Sequence, residues 1–156
     1  MVSLELTDDR IKIANLFNYY VYDMSEFTGW SPGDSGLFVD DPEQITIHEY
    51  WQNEDYFPYV IKVDDELAGF ALIRMLNEKD CFDIGQFFVL RKFKGKGIGR
   101  EAIEYLFRTH PGKWQVRVLV QNTGAKVFWE RVLPESSKVH ICFDEEDEMM
   151  FYEFSV

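Results

Sequence analysis

Cysteine is scarce. Cys81 and Cys142 are the only two in 156 residues, and neither has the partner spacing of a zinc site or a redox pair. Free thiols in a reducing compartment are the simple reading. No apolar stretch approaches the length needed to cross a bilayer, and Met1 to Arg10 carries neither the basic leader nor the apolar run of a signal peptide. A cytoplasmic location with no membrane partner is therefore expected. Positive charge is in deficit, with 16 Lys and Arg against 28 Asp and Glu and a net charge of −12. That excludes a general nucleic-acid binder, which needs a surplus of Lys and Arg over one face. Repeats, low-complexity tracts and linkers are also missing, so residues 1–156 are expected to form a single domain.

Aromatic residues, by contrast, are abundant: 14 Phe, 8 Tyr and 4 Trp make up 17% of the chain and imply a flat-walled pocket as well as a core. Helical spacing of Ile13, Leu16, Phe17, Tyr20, Val21 and Met24 predicts a first helix capped near Thr7 or Asp8. Asp41, Pro42 and Gln44 predict a short second helix running to about Trp51. Tyr59 to Val63 and Leu67 to Arg74 read as a hairpin, and Phe82 to Leu90 as a third central strand. A helix follows, with Ile98, Ala102, Ile103, Leu106 and Phe107 on one face, ending at His110-Pro111-Gly112. Trp114 to Val120 alternates as a strand. Asn122 opens a last helix, and Val139 to Phe143 with Met149 to Phe154 form a closing hairpin around the acidic turn 144–148. This order predicts an α/β (α+β) chain: a mixed, mostly antiparallel sheet of six to seven strands with four helices spread over both faces.

Five basic residues and no acid fall between Arg91 and Arg100, an island that asks for an anion in so acidic a chain. Within it, Lys94-Gly95-Lys96-Gly97-Ile98-Gly99-Arg100 leaves a strand and enters a helix. Its backbone amides are the unpaired donors of a helix N-terminus, at the positive end of the helix dipole. Glycine leaves an anion room to approach, while Lys94, Lys96 and Arg100 add mobile charge. A plain basic loop is the competing reading. A nucleotide triphosphatase loop is excluded because Gly99 is followed by Arg100 and Glu101, not Lys and Ser or Thr. A dinucleotide site belongs to a chain that begins strand-helix-strand, and this segment comes after several strands.

The run from Phe87 to Gly99 resembles, nearly position for position, the strand-to-helix signature of the GCN5-related N-acetyltransferase (GNAT) superfamily. The element order resembles the whole fold. The resemblance implies acetyl-CoA, or another acyl-CoA, as co-substrate, with no metal. It implies that the strand at Phe87, Phe88 and Val89 splays from its neighbour and offers backbone groups to the pantetheine arm. Lys94, Gly95, Lys96, Gly97, Ile98, Gly99 and Arg100 would hold the pyrophosphate, and Asn122 would touch the pantetheine arm. Lys94 departs from the family's usual Arg or Gln. Trp129 stands where many members have a tyrosine that protonates the leaving thiolate, and indole cannot do this. The common Gly-Phe after the last helix is replaced by Val132-Leu133-Pro134.

Direct attack of an amine on a thioester needs orientation, a polarised carbonyl and removal of a proton. A backbone amide near Val89 or Leu90 is the polarising donor that the resemblance implies. Asp83 is the candidate general base, at the spacing before Phe87 where the histone-acetyltransferase branch places its catalytic glutamate. The other reading of Asp83 is a solvent-facing polar residue. Gln86 can only orient substrate; His48 and His140 are alternative bases, and His110 is a helix terminator. Tyr19, Tyr20, Trp30, Tyr50, Trp51, Tyr56 and Tyr152, near Asp40, Asp41 and Glu43, would suit a cationic or amphipathic amine. The expected partner is a small-molecule or peptide amine, with a homodimer left open. An acyl-CoA sensor without turnover is the rival function.

Overall fold

The computed structural model describes residues 1–41, 46–144 and 147–156. In chain order the elements are β1 (Val2–Leu6), α1 (Arg10–Thr28), a 3-10 turn (Thr46–Trp51), β2 (Tyr56–Val63), β3 (Glu66–Leu76) and β4 (Cys81–Val89). After a second 3-10 turn (Arg91–Phe93) come α2 (Ile98–Thr109), β5 (Lys113–Leu119), α3 (Thr123–Val132), β6 (Lys138–Asp144) and β7 (Asp147–Ser155). The seven strands form one mixed sheet in the order β1-β2-β3-β4-β5-β7-β6. The fold class therefore agrees with the sequence reading, while the helix count does not: three α-helices are described, not four. The expected helix from Asp41 is a 3-10 turn over its described part, and Pro42, Glu43 and Gln44 lie outside the described residues. So do Glu145 and Glu146 of the acidic turn. Strand β1 was not foreseen, since only Leu4 of its five residues is buried.

Each helix begins and ends for a local reason. Asp9 caps α1 by accepting a hydrogen bond from the Lys12 amide at 3.0 Å, and Gly29 closes the helix in the left-handed conformation. The apolar stripe Ile13, Leu16, Phe17 and Val21 packs with Val60, Phe70, Leu72 and Phe88 on one face of the sheet. Ile98, Ala102, Ile103 and Leu106 of α2, with Trp129 of α3, pack with Ile73, Ile84, Val116 and Val118 on the other. Two independent apolar layers thus hold the sheet between them.

Among the described residues, β4 and β5 are the one parallel pair. Their register holds only over Phe82↔Trp114, Asp83↔Gln115 and Ile84↔Val116. Beyond Ile84 and Val116 the strands part, because β4 carries a bulge at Gly85 opposite the Leu72/Ile73 step of β3. A bulge bends and twists its strand. The space that a side chain at Gly85 would need is filled by the Tyr50 hydroxyl. At the far end of β4, a Cβ on Gly69 would overlap the Phe88 carbonyl, so glycine alone lets β3 follow the strand there.

Candidate active site

The glycine-rich segment lies at the open end of this fork. Phe93 is buried and anchors the second 3-10 turn, after which Gly95 and Gly97 take φ of 75° and 80°. A Cβ at either glycine would meet nothing within 4 Å, so the surface outside them is open. Gly97 is the N-cap of α2 and provides no side-chain cap, which leaves the first amides of the helix directed outward. Gly99 differs: a Cβ there would sit 2.9 Å from Phe128 Cε2, so its part is to let α2 pack on α3 and not to admit an anion.

The basic side chains are partly engaged. Arg91 donates to Asp23 of α1 at 2.6 Å, with Lys94 3.9 Å from the same carboxylate. Lys92 pairs with Glu66 at 2.5 Å, and Arg100 donates to the Arg131 carbonyl at the end of α3 at 3.0 Å. Lys96 is exposed at the tip of the loop. Arg100 is thus turned toward α3, although its amide remains in the first turn of α2.

Within the fork lies a cavity of about 240 Å³ walled by α1, by β4 and β5 where they part, and by the start of α3. Phe87 faces α3, its ring stacked on Phe128 at 5.9 Å and tilted against Trp129 at 5.6 Å. Phe88 faces α1, with Tyr20 edge-on at 5.8 Å. Val89 is buried and paired with Gly69. Asn122 accepts a hydrogen bond from the Ala125 amide, capping α3, and turns its Nδ2 toward Met24 Sδ at 3.7 Å. Trp129 is buried on the cavity wall. Tyr20 is on the same wall, and burial pushes its phenol up to about 12 against the opposing charge of Arg117.

Asp83 does not face water. Its side chain has no exposed surface, and its oxygens accept from Arg74 Nε at 2.8 Å, Arg117 Nη2 at 3.1 Å and Gln115 Nε2 at 2.9 Å. The solvent-facing reading is therefore corrected: register pairs Asp83 with Arg74 on one side and Gln115 on the other, on the α1 side of the sheet. Arg117 and Gln115 were missed from sequence. The signal was present, since both fall on the face of β5 opposite Trp114, Val116 and Val118, but it needs the register with Asp83 to acquire meaning. Of the aromatic residues expected around the acceptor, Tyr20 and Trp30 line the cavity. Tyr50 and Tyr152 are core, Tyr19 is exposed, and His48 and His140 are not on the cavity wall.

Residues 21–133 match the model of the acetyltransferase (GNAT) family. The chain belongs to this family. Its fold is shared with spermidine N-acetyltransferase from Vibrio cholerae, solved with CoA and spermine, at 16% identity over 99% of this chain and 95% of that one, TM-score 0.68. The ribosomal-protein-S18-alanine N-acetyltransferase from Escherichia coli shares 13% identity over 99% and 94%, TM-score 0.66. A GNAT acetyltransferase from Elizabethkingia anophelis with acetyl-CoA bound shares 12% over 99% and 98%, TM-score 0.61. At such identities the likeness of this GNAT chain to each of them is one of fold. No curated protein matches it. Among its described residues no helix is long and apolar enough to cross a membrane, and no group of three or more His, Cys, Asp or Glu is placed to hold a metal ion.

Proposed function

We propose that this protein transfers an acyl group from coenzyme A to a primary amine by direct attack in a ternary complex. The observation that carries the proposal is the fork between β4 and β5, opening beside the uncapped start of α2. Gly95 and Gly97 present open surface, so the backbone from Gly95 to Arg100, with Lys94 and Lys96 near it, suits a pyrophosphate. Phe87 and Asn122, both on the cavity wall, and the backbone of Phe88 and Val89 next to Phe87 are the groups that we assign to a pantetheine arm. The bound thioester supplies an activated acyl group and a thiol leaving group.

The protein contributes orientation, worth about 7 kcal/mol at the lower end for well-placed reactants, and an apolar wall that includes the rings of Phe17, Tyr20, Phe87 and Trp129. Tyr20, protonated throughout the neutral range, is our candidate for delivering the proton that Trp129 cannot. For Asp83, enclosure by Arg74, Arg117 and Gln115 supports a positioning role over direct proton abstraction, since a carboxylate without exposed surface cannot touch a substrate ammonium. The test is thiol release from acetyl-CoA across a panel of primary amines, with the acylated product weighed by mass spectrometry. Trp129 on the cavity wall favours a second reading, an acyl-CoA sensor; coenzyme A binding without thiol release for any amine would establish it.

A further inference from the structure

We propose that the acceptor is an arylalkylamine, a primary amine with one flat aromatic ring and one positive charge, and that Trp30 is the residue that selects it. The proposal rests on the acyl-transfer reading of the same cavity. The other rings on the cavity wall are already packed, Phe17 with Tyr20 and Phe87 with Trp129. Trp30 lines the cavity at 53% exposure, and among the described residues it has neither a ring neighbour nor an acceptor for its indole N–H. Trp51 and Trp114, by contrast, donate theirs to the carbonyls of Thr7 and His110. An indole left half in water at the mouth of a cavity forgoes a burial that a ligand's ring would supply.

The place of Trp30 is fixed by its neighbours. Gly29 ends α1 at a φ of 73° with its amide on the Ser25 carbonyl at 2.9 Å, and the Trp30 amide donates to Thr28 Oγ1 at 3.3 Å. Further along the loop, the Asn18 side chain of α1 holds both the amide and the carbonyl of Val39, each at 2.9 Å. The loop that carries Trp30 is thus tied to α1 at both ends, so a ligand has little ordering to bring about. Beyond the part of the wall assigned to the pantetheine arm, the cavity is lined by Met24, Thr28 and Trp30 and by Leu119 and Met149, a register pair of β5 and β7. An amine that attacks a thioester in the fork has its nitrogen inward and its body toward Trp30. The wall there is mostly apolar, with two thioethers that adapt to the edge of a ring. Of the charged groups on the described wall, Arg117 is held by Asp83, and Asp147 is exposed at the start of β7, where water screens its hold on a second ammonium. An apolar body is therefore favoured over a polyamine. At about 240 Å³ the cavity is smaller than the roughly 300 Å³ at which pockets for drug-sized ligands begin, so that body is one ring.

The experiment measures thiol release from acetyl-CoA by the wild-type protein with an arylalkylamine, a short alkylamine, a polyamine and a short peptide with a free N-terminus. The expected result is a kcat/KM for the arylalkylamine at least about tenfold above each of the others, the size of one well-stacked ring. Trp30→Ala is expected to bring the ratio of arylalkylamine to short alkylamine toward one, chiefly by raising KM for the arylalkylamine, and Trp30→Phe to restore part of it. Any of the other amines equalling the arylalkylamine with the wild-type protein would overturn the proposal while leaving acyl transfer standing. So would an unchanged ratio in a Trp30→Ala protein that still binds coenzyme A. No thiol release with any amine would overturn both readings together. Should Trp30→Ala fail to fold, the wild-type ratio decides alone.

Discussion

Gly97 and Gly99 stand two positions apart and serve different ends. Gly97 is left-handed and looks onto open surface, so Gly97→Glu places both a strained backbone and a carboxylate where an anion is expected. Calorimetric titration should show coenzyme A binding lost in Gly97→Glu and largely kept in Gly97→Asn, because asparagine tolerates that conformation and carries no charge. Gly99→Ala should do the reverse. Binding is retained, and stability falls by about 1–3 kcal/mol as Phe128 is forced aside, a loss that Phe128→Leu in the same chain reduces on thermal melting. In the sequence the glycines and their basic neighbours are plain, but their division of labour is not. The atom that meets Gly99 comes from Phe128, twenty-nine residues later, and only the docking of α3 brings it there.

At the scale of the element, β4 is where reading by alternation goes astray. Asp83 and Phe87 are four residues apart and on a regular strand would share a face. The bulge at Gly85 changes the parity, so Asp83 shares the α1 face with Gln86 and Phe88 while Phe87 points at α3. The strand itself and the start of α2 were legible because an apolar run and glycines mark them locally, whereas the fork was expected only from the family resemblance. The bulge was not, since it shows only in the register with β3 and beside Tyr50, which occupies the space above Gly85 and lies thirty-five residues earlier. Asp83→Asn should therefore act on structure first: about 2–4 kcal/mol of stability is lost as Arg74 and Arg117 lose their shared counter-charge, a range discounted because both arginines keep some exposure. Denaturant unfolding measures the loss. The residual rate should not recover as pH rises, whereas recovery would return Asp83 to the role of base.

For the molecule as a whole, acid stability is expected to be set in part by His110, where α2 ends. Its Nε2 lies 2.8 Å from the Tyr59 hydroxyl, its ring is packed by Phe57 and Phe82, and burial holds its imidazole below the ordinary value of 6.5. As pH falls through that value the unfolded chain takes up the proton first, so native stability declines on the acid side. Melting temperatures from about pH 7.5 to about pH 5 should fall less steeply in His110→Asn than in the wild-type protein, although the variant starts lower for want of the Tyr59 bond. The brief register between β4 and β5 reaches further still. Among the described residues, three register pairs and the side-chain bonds of Gln115 and Arg117 to Asp83 join strands β1 to β4 to strands β5 to β7 in the sheet, so the sheet has a seam. In amide exchange the two halves should open as separate cooperative units with their own protection levels. A ligand lying along the seam should slow exchange in both at once, which would make cofactor occupancy readable as the fusion of two units into one.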